Sequence, residues 1–324
     1  MSRLKKHRSL LIVVALIITF LCLVLAQFYP KSPRAEKRMK VSMIVYGDDS
    51  ERWENMRQGA ALVCKEKNAD LTMMTTLSEK DAEEQIEITK REIEDGADAI
   101  IIAACNSSRL KEYFDENHIG IPVVFIESLN SSDNDRLFIA PDDREMGKKL
   151  GEEIVNNESD IVTVSIISEN TEKDSVSLRE EGFREAVEGK VGKIIDWKRN
   201  EQEANTETRM FIQKAIVSEA TDVIVTFDNS STDALLDALS NLNKKSKIYS
   251  ISTSNMAVYN LNKGDIKALG CPNEFSMGYL AAAYAIDGSH AKKTYPDKRI
   301  EYKIIRKETM YDKDNQALLF PFVN

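Results

Sequence analysis

From Val41 onward the chain alternates short aliphatic runs with longer amphipathic stretches, and this alternation constrains the fold more than any other feature. The runs at 41–45, 99–103, 123–126, 161–167, 223–227 and 248–251 are rich in β-branched residues and apolar at successive positions. That is the pattern of parallel strands buried on both faces. Between them, 51–67, 81–95, 107–117, 144–156, 176–187, 205–219 and 231–242 read as helices. Glycines stand where helices should stop, at 96, 120, 189, 264 and 288. Strand–helix alternation at this spacing gives βαβ units and a doubly wound parallel sheet. One helix-to-strand joint occurs twice: DGADAIII at 95–102 and EATDVIVT at 219–226. Two similar lobes would explain the repetition.

The N-terminus is of another kind. Arg3, Lys5, Lys6 and Arg8 precede an uncharged run from Ser9 to Pro30 whose centre is almost wholly aliphatic. About 20 apolar residues in a helix span a bilayer. Val24-Leu25-Ala26 offers small-residue spacing for a signal-peptidase cut, whereas the length of the run fits an uncleaved anchor, the reading favoured here. Leu21 before Cys22 argues against a lipoprotein signal. Basic residues flank the run on both sides, so charge alone does not orient it.

The net charge of −9 hides an asymmetry. Residues 1–40 hold nine Lys and Arg against Glu36, which leaves 35 bases and 52 acids for the remainder. Such a surface repels phosphate backbones, so nucleic acid is not expected as a partner. Cys22, Cys64, Cys105 and Cys271 show no metal-ligand spacing and read as buried thiols, with a Cys105–Cys271 bridge conceivable. Phosphate loops, nucleophile elbows and zinc-protease motifs are absent from the sequence. The three histidines, His7, His118 and His290, sit in the basic tail or near helix ends. Neither catalysis nor a cofactor is expected.

Several segments, in order, resemble the type I periplasmic binding proteins, most closely the ribose/galactose branch. They are VSMIVY at 41–46 with Trp53 and Gly59-Ala60, then DGADAIII at 95–102 and IPVVFIE at 121–127. IAPDD at 139–143 with Gly147, REEGF at 179–183, FDN at 227–229 and EFSMG at 274–278 follow. The resemblance implies an α/β fold of two Rossmann-like lobes with parallel sheets, joined by three crossovers and preceded here by a transmembrane helix. The N-terminal residues themselves give a cytoplasmic basic tail at 1–8, an anchor or signal segment at 9–29 and a spacer at 30–39. The N-terminal lobe would take 40–140 with 273–290, and the C-terminal lobe 141–272 with 291–324. The resemblance also orients the binding domain outside the cell. Repressors that share the fold carry a helix-turn-helix where this chain has its apolar run.

By the same resemblance, strand ends from both lobes face a cleft, the usual ligand site of open α/β sheets. Trp53 matches a sugar-stacking aromatic, with a core tryptophan as the alternative. Glu127 matches an Asp that accepts sugar hydroxyls. Asn106 is a ligand donor or a helix N-cap. Asp142 and Asp143 lie at a crossover, with capping assigned to Asp143. Asp228, Asn229, Ser252 and Asn273 complete the expected ligand set. The clamping Arg of the family falls at Ser177, a second aromatic at Glu203, an Asp at Ser252 and a Gln at Pro272. These changes argue against a standard ribose or galactose ligand, and the acidic surroundings suit an amine-bearing solute. The expected function is solute binding for an ABC permease. The alternatives are a tethered sensor docking on a histidine kinase and, more remotely, a cytoplasmic regulator.

Overall fold

The computed structural model describes residues 16–21, 25, 38–47, 53–128, 137–159, 161–199, 206–288 and 299–320. The chain divides into a unit at 1–38 and a second at 39–324. Of the expected anchor, residues 16–21 and 25 are described; they are helical, with Leu16, Ile17, Ile18, Phe20, Leu21 and Leu25 exposed. The rest of the run, the basic tail and most of the spacer lie outside the described residues, as do Cys22 and Glu203. Among the described residues no helix is long and apolar enough to cross a membrane.

In the second unit the aliphatic runs form the centres of two sheets. β1 (Lys40–Val45), β2 (Asp70–Thr75), β3 (Ala99–Ile102), β4 (Val123–Ile126) and β5 (Leu137–Ile139) pair in the order β2-β1-β3-β4-β5, all parallel. β6 (Thr163–Ile167), β7 (Lys193–Trp197), β8 (Val223–Thr226), β9 (Lys247–Ile251), β10 (Ile266–Pro272) and β11 (Tyr302–Ile305) form the other, in the order β11-β10-β9-β8-β6-β7. Among the described strands only β11 runs antiparallel to its neighbour. The helices are α1 (Glu54–Glu66), α2 (Ala82–Glu94), α3 (Ser107–Glu116), α4 (Asp143–Asn157), α5 (Asp174–Val187), α6 (Thr208–Ser218), α7 (Asn229–Leu242), α8 (Asn255–Lys263), α9 (Glu274–Asp287) and α10 (Lys313–Leu319).

Alternate residues of the second sheet enter separate cores. Ile224 and Leu269 pack with α6, α7 and α8, whereas Val223, Val225 and Ala268 pack with α4 and α5. A strand's side-chain period of two requires this split when both faces are covered. The chain leaves the first sheet after β5, through α4, returns through α9, which packs on α1 and on β1, β3, β4 and β5, and leaves again to reach β11. The three crossings lie side by side. Ile300 N–H donates to Ala140 O at 3.2 Å, and Asn273 N–H to Glu301 O at 2.9 Å.

The repeated joint is one device used twice. Asp98 accepts from Lys40 N–H at 2.9 Å and Asp222 from Thr163 N–H at 2.8 Å. In each case the aspartate's own N–H donates back to the carbonyl of that same residue. One carboxylate thus starts β3 beside β1, and the other β8 beside β6. The same kind of helix contact also occurs twice, once beside each sheet. A Cβ added at Gly59 or Gly278 would meet Phe275 O at 2.1 Å or Met56 O at 1.9 Å, between α1 and α9. At Gly147 or Gly182 it would meet Arg179 O or Arg144 O, each at 1.9 Å, between α4 and α5.

Cys64, Cys105 and Cys271 are free and buried, so the conceivable Cys105–Cys271 bridge is not formed. Burial pushes their thiols up, to about 11 for Cys64, to about 12 for Cys105, and further still for Cys271. Since the thiolate is the reactive form, all three should resist a thiol reagent in the native protein and react on unfolding. Fast native labelling of any of them, mapped by mass spectrometry, would contradict this burial.

Candidate functional site

The C-terminal ends of β4 in the first sheet and of β8, β9 and β10 in the second meet at a small cavity. Its wall includes Met56, Glu127 and Met277 with the first sheet, Arg179, Asp228, Asn229 and Ser252 with the second, and Pro272 and Glu274 at the second crossing. The volume they enclose is about 10 Å³, room for roughly one water molecule. Any larger molecule enters only if the two sheets part or the side chains move.

On the side of the first sheet Glu127 follows β4 directly and is 5% exposed. Its φ of 62° is the left-handed region, a conformation that costs a residue with a Cβ of order 1 kcal/mol and tends to mark functional sites. Tyr46, at the end of β1, donates its hydroxyl to Glu127 Oε2 at 2.7 Å. Trp53, expected to stack on a ligand, instead stands behind this pair, fully buried in the first core. Its indole N–H donates to Tyr46 O at 3.0 Å, and its ring meets the Tyr46 ring edge-on at 4.9 Å. The indole therefore positions Tyr46, which in turn positions the carboxylate.

On the side of the second sheet Arg179 is 4% exposed. Its Nε donates to Asp143 Oδ1 at 2.7 Å and its Nη1 to Phe227 O at 2.9 Å, which fixes the end of β8. Burial pushes the Asp143 carboxyl up to about 6 against the pull of Arg179. Asp228 follows, accepting Ser231 N–H at 2.7 Å as the N-cap of α7 and Asn170 Nδ2 at 2.8 Å. Burial raises the Asp228 pKa, but the Lys173 ammonium and the bonds from Asn170 and Ser231 outweigh it, leaving the carboxyl below its usual range. Asn229 Oδ1 accepts Ser252 Oγ at 3.0 Å and Thr253 N–H at 2.9 Å. Thr253 Oγ1 then donates to Glu274 Oε1 at 2.8 Å, and Asn55 of α1 reaches Glu274 Oε2 at 3.3 Å.

Of the expected ligand residues, the fold brings Glu127, Asp228, Asn229 and Ser252 together around one cavity. Three others are helix caps. Asn106 accepts from Arg109 N–H, Asp142 from Glu145 N–H and Asn273 from Ser276 N–H. Capping at the first crossing thus falls to Asp142, and Asp143 is the buried partner of Arg179. Ser177 is exposed; the arginine that reaches the cavity is Arg179. Arg179 and Glu274 were not among the expected ligand residues.

The sequence matches the periplasmic binding protein domain family over residues 41–292. No curated protein sequence matches the chain. Among solved structures, a carbohydrate transporter solute-binding protein from Agrobacterium radiobacter in complex with D-arabinose is 18% identical. It superposes with a TM-score of 0.71, covering 88% of this chain and all of the other. An ABC transporter solute-binding protein from Agrobacterium vitis with bound D-fucose is 16% identical, with a TM-score of 0.73, covering 87% of this chain and 100% of that one. A XylFII–LytSN complex matches at 18% identity and a TM-score of 0.68, covering 84% of this chain and 98% of that one. At such identities the likeness speaks for the fold.

Proposed function

The chain belongs to the periplasmic binding protein domain family, and on that premise we propose that its two lobes close on a small polyhydroxylated solute outside the cell. The lobes would be 40–140 with 273–290 and 141–272 with 291–324, bending where the three crossings lie side by side. One observation carries the reading: polar groups from both sheets converge on one cavity, with carboxylates at Glu127, Asp228 and Glu274 and a guanidinium at Arg179. Carboxylates accept hydroxyl donors, the Arg179 fork donates to ring or hydroxyl oxygens, and only the closed form makes both sets of contacts. Arabinose and fucose, the ligands of the two Agrobacterium neighbours, set the size class.

The apolar run at 9–29 would tether the domain to the membrane, and delivery to an ABC permease is the role that fits the family. A tethered sensor is the second reading. It is favoured by the neighbour whose name records a complex with LytSN.

The test is a thermal-shift and calorimetric panel of pentoses, hexoses, deoxyhexoses and amino sugars. A ligand of the native state should raise Tm with dose. Glu127→Gln and Asp228→Asn should each weaken its binding by about tenfold or more, since hydrogen bonds to charged groups contribute roughly 1.5–3 kcal/mol. A panel with no shift at millimolar solute would overturn the reading.

A further inference from the structure

A lysine of the second lobe lies against the first lobe beside the cavity. Lys173, the residue before α5, is 2% exposed. Its Nζ lies 4.1 Å from the centroid of the Tyr46 ring and 3.3 Å from Glu79 Oε2, both first-lobe groups. Glu79 Oε2 also accepts the Ser230 hydroxyl of the second lobe at 2.9 Å. The neighbours of Lys173 dock on the same surface. Ser107 N–H donates to Glu172 O at 3.0 Å. Asp174 N–H donates to Ser107 Oγ at 3.0 Å and Ser175 N–H to Ser128 Oγ at 3.3 Å. Those two N–H groups open α5, so hydroxyls of one lobe cap a helix of the other.

These are contacts between protein groups, and they form only when the lobes are together. Parting the lobes would strip the first turn of α5 of its acceptors, a loss comparable to removing a helix cap. It would also separate a desolvated ammonium from the aromatic face and carboxylate that hold it. We propose that residues 172–175 form a built-in latch, with Lys173 at its tip, which biases the cleft toward closure before any solute binds. The latch is wired to the candidate ligand wall. Asn170, at φ 57°, donates to both Asp228 and Ser230, so the loop that carries Lys173 is held by the carboxylate a solute would touch. A solute engaging Asp228 would thus act on a closure already partly favoured, and its apparent affinity would include that bias. The wiring to ligand rests on the binding reading above; the latch itself does not.

Hydrogen–deuterium exchange of the full-length chain in detergent, with no solute added, reads the latch directly. The peptide spanning 172–176 should be protected in the wild type. Lys173→Ala should speed its exchange about tenfold while β6 and β8 are unchanged, Lys173→Arg should keep the protection, and Glu79→Gln should reproduce the loss from the other lobe. Unchanged protection in both Lys173→Ala and Glu79→Gln would overturn the proposal, as would equal acceleration throughout the second sheet, which would mean general destabilisation. A sugar panel that fails leaves this measurement intact, and a failed latch leaves the panel intact.

Discussion

Arg179→Met is expected to lower the unfolding free energy by about 3–5 kcal/mol, the usual consequence of leaving one charge of a buried pair behind. Both partners are buried, with Arg179 Nε 2.7 Å from Asp143 Oδ1. The loss should depend on pH. Burial already raises the Asp143 carboxyl to about 6 with Arg179 present, and removing the cation raises it further. A carboxyl raised in the folded state contributes stability fully present below its unfolded pKa, near 3.9, and lost as pH rises through the folded value. The deficit of Arg179→Met should therefore be smaller at pH 5 than at pH 8, and Asp143→Asn in the same chain should recover part of it at pH 8. Urea melts at the two pH values decide. A deficit independent of pH would mean that Asp143 is already neutral beside Arg179.

The other large effect concerns the paired helices. Gly147→Ala and Gly278→Ala should each cost about 3 kcal/mol or more, at or above the upper end of ordinary overpacking. The added methyl meets a backbone carbonyl at 1.9 Å in each case, so a whole helix must move. Gly120→Ala, where a Cβ meets nothing within 4 Å, should be close to neutral. In all four helices the touching carbonyl belongs to the residue three positions before that helix's own glycine: Met56 and Gly59, Phe275 and Gly278, Arg144 and Gly147, Arg179 and Gly182. Equal tolerance at Gly147 and Gly120 would show that α4 and α5 pack more loosely than a 1.9 Å approach allows.

The central strands were legible because burial on both faces leaves continuous aliphatic runs. β2, β7 and β11 were not. β2 and β7 lie at sheet edges with half-exposed, mixed side chains, and β11 pairs antiparallel at the other edge. β10 carries Lys267, Gly270 and Pro272, each a poor strand signal on its own. The site was legible where it is made of strand ends, at Glu127, Asp228, Asn229 and Ser252. Asn106, Asp142 and Asn273 drew attention for the residue types that suit both ligands and N-caps, and here they cap. Arg179 and Glu274 enter the cavity from helices. What marks them is a partner distant in sequence, 36 positions away for Asp143, and spacing along the chain does not reveal such a pairing.

The route of the backbone also bears on how the protein can be made. The first sheet is covered by α9, which the chain reaches only after running through β6 to β10 of the other sheet. No single cut therefore yields two self-sufficient halves. A fragment ending at Ile139 lacks its closing helix, and a nascent chain on the ribosome must hold its first sheet unfinished until Asp287 has emerged.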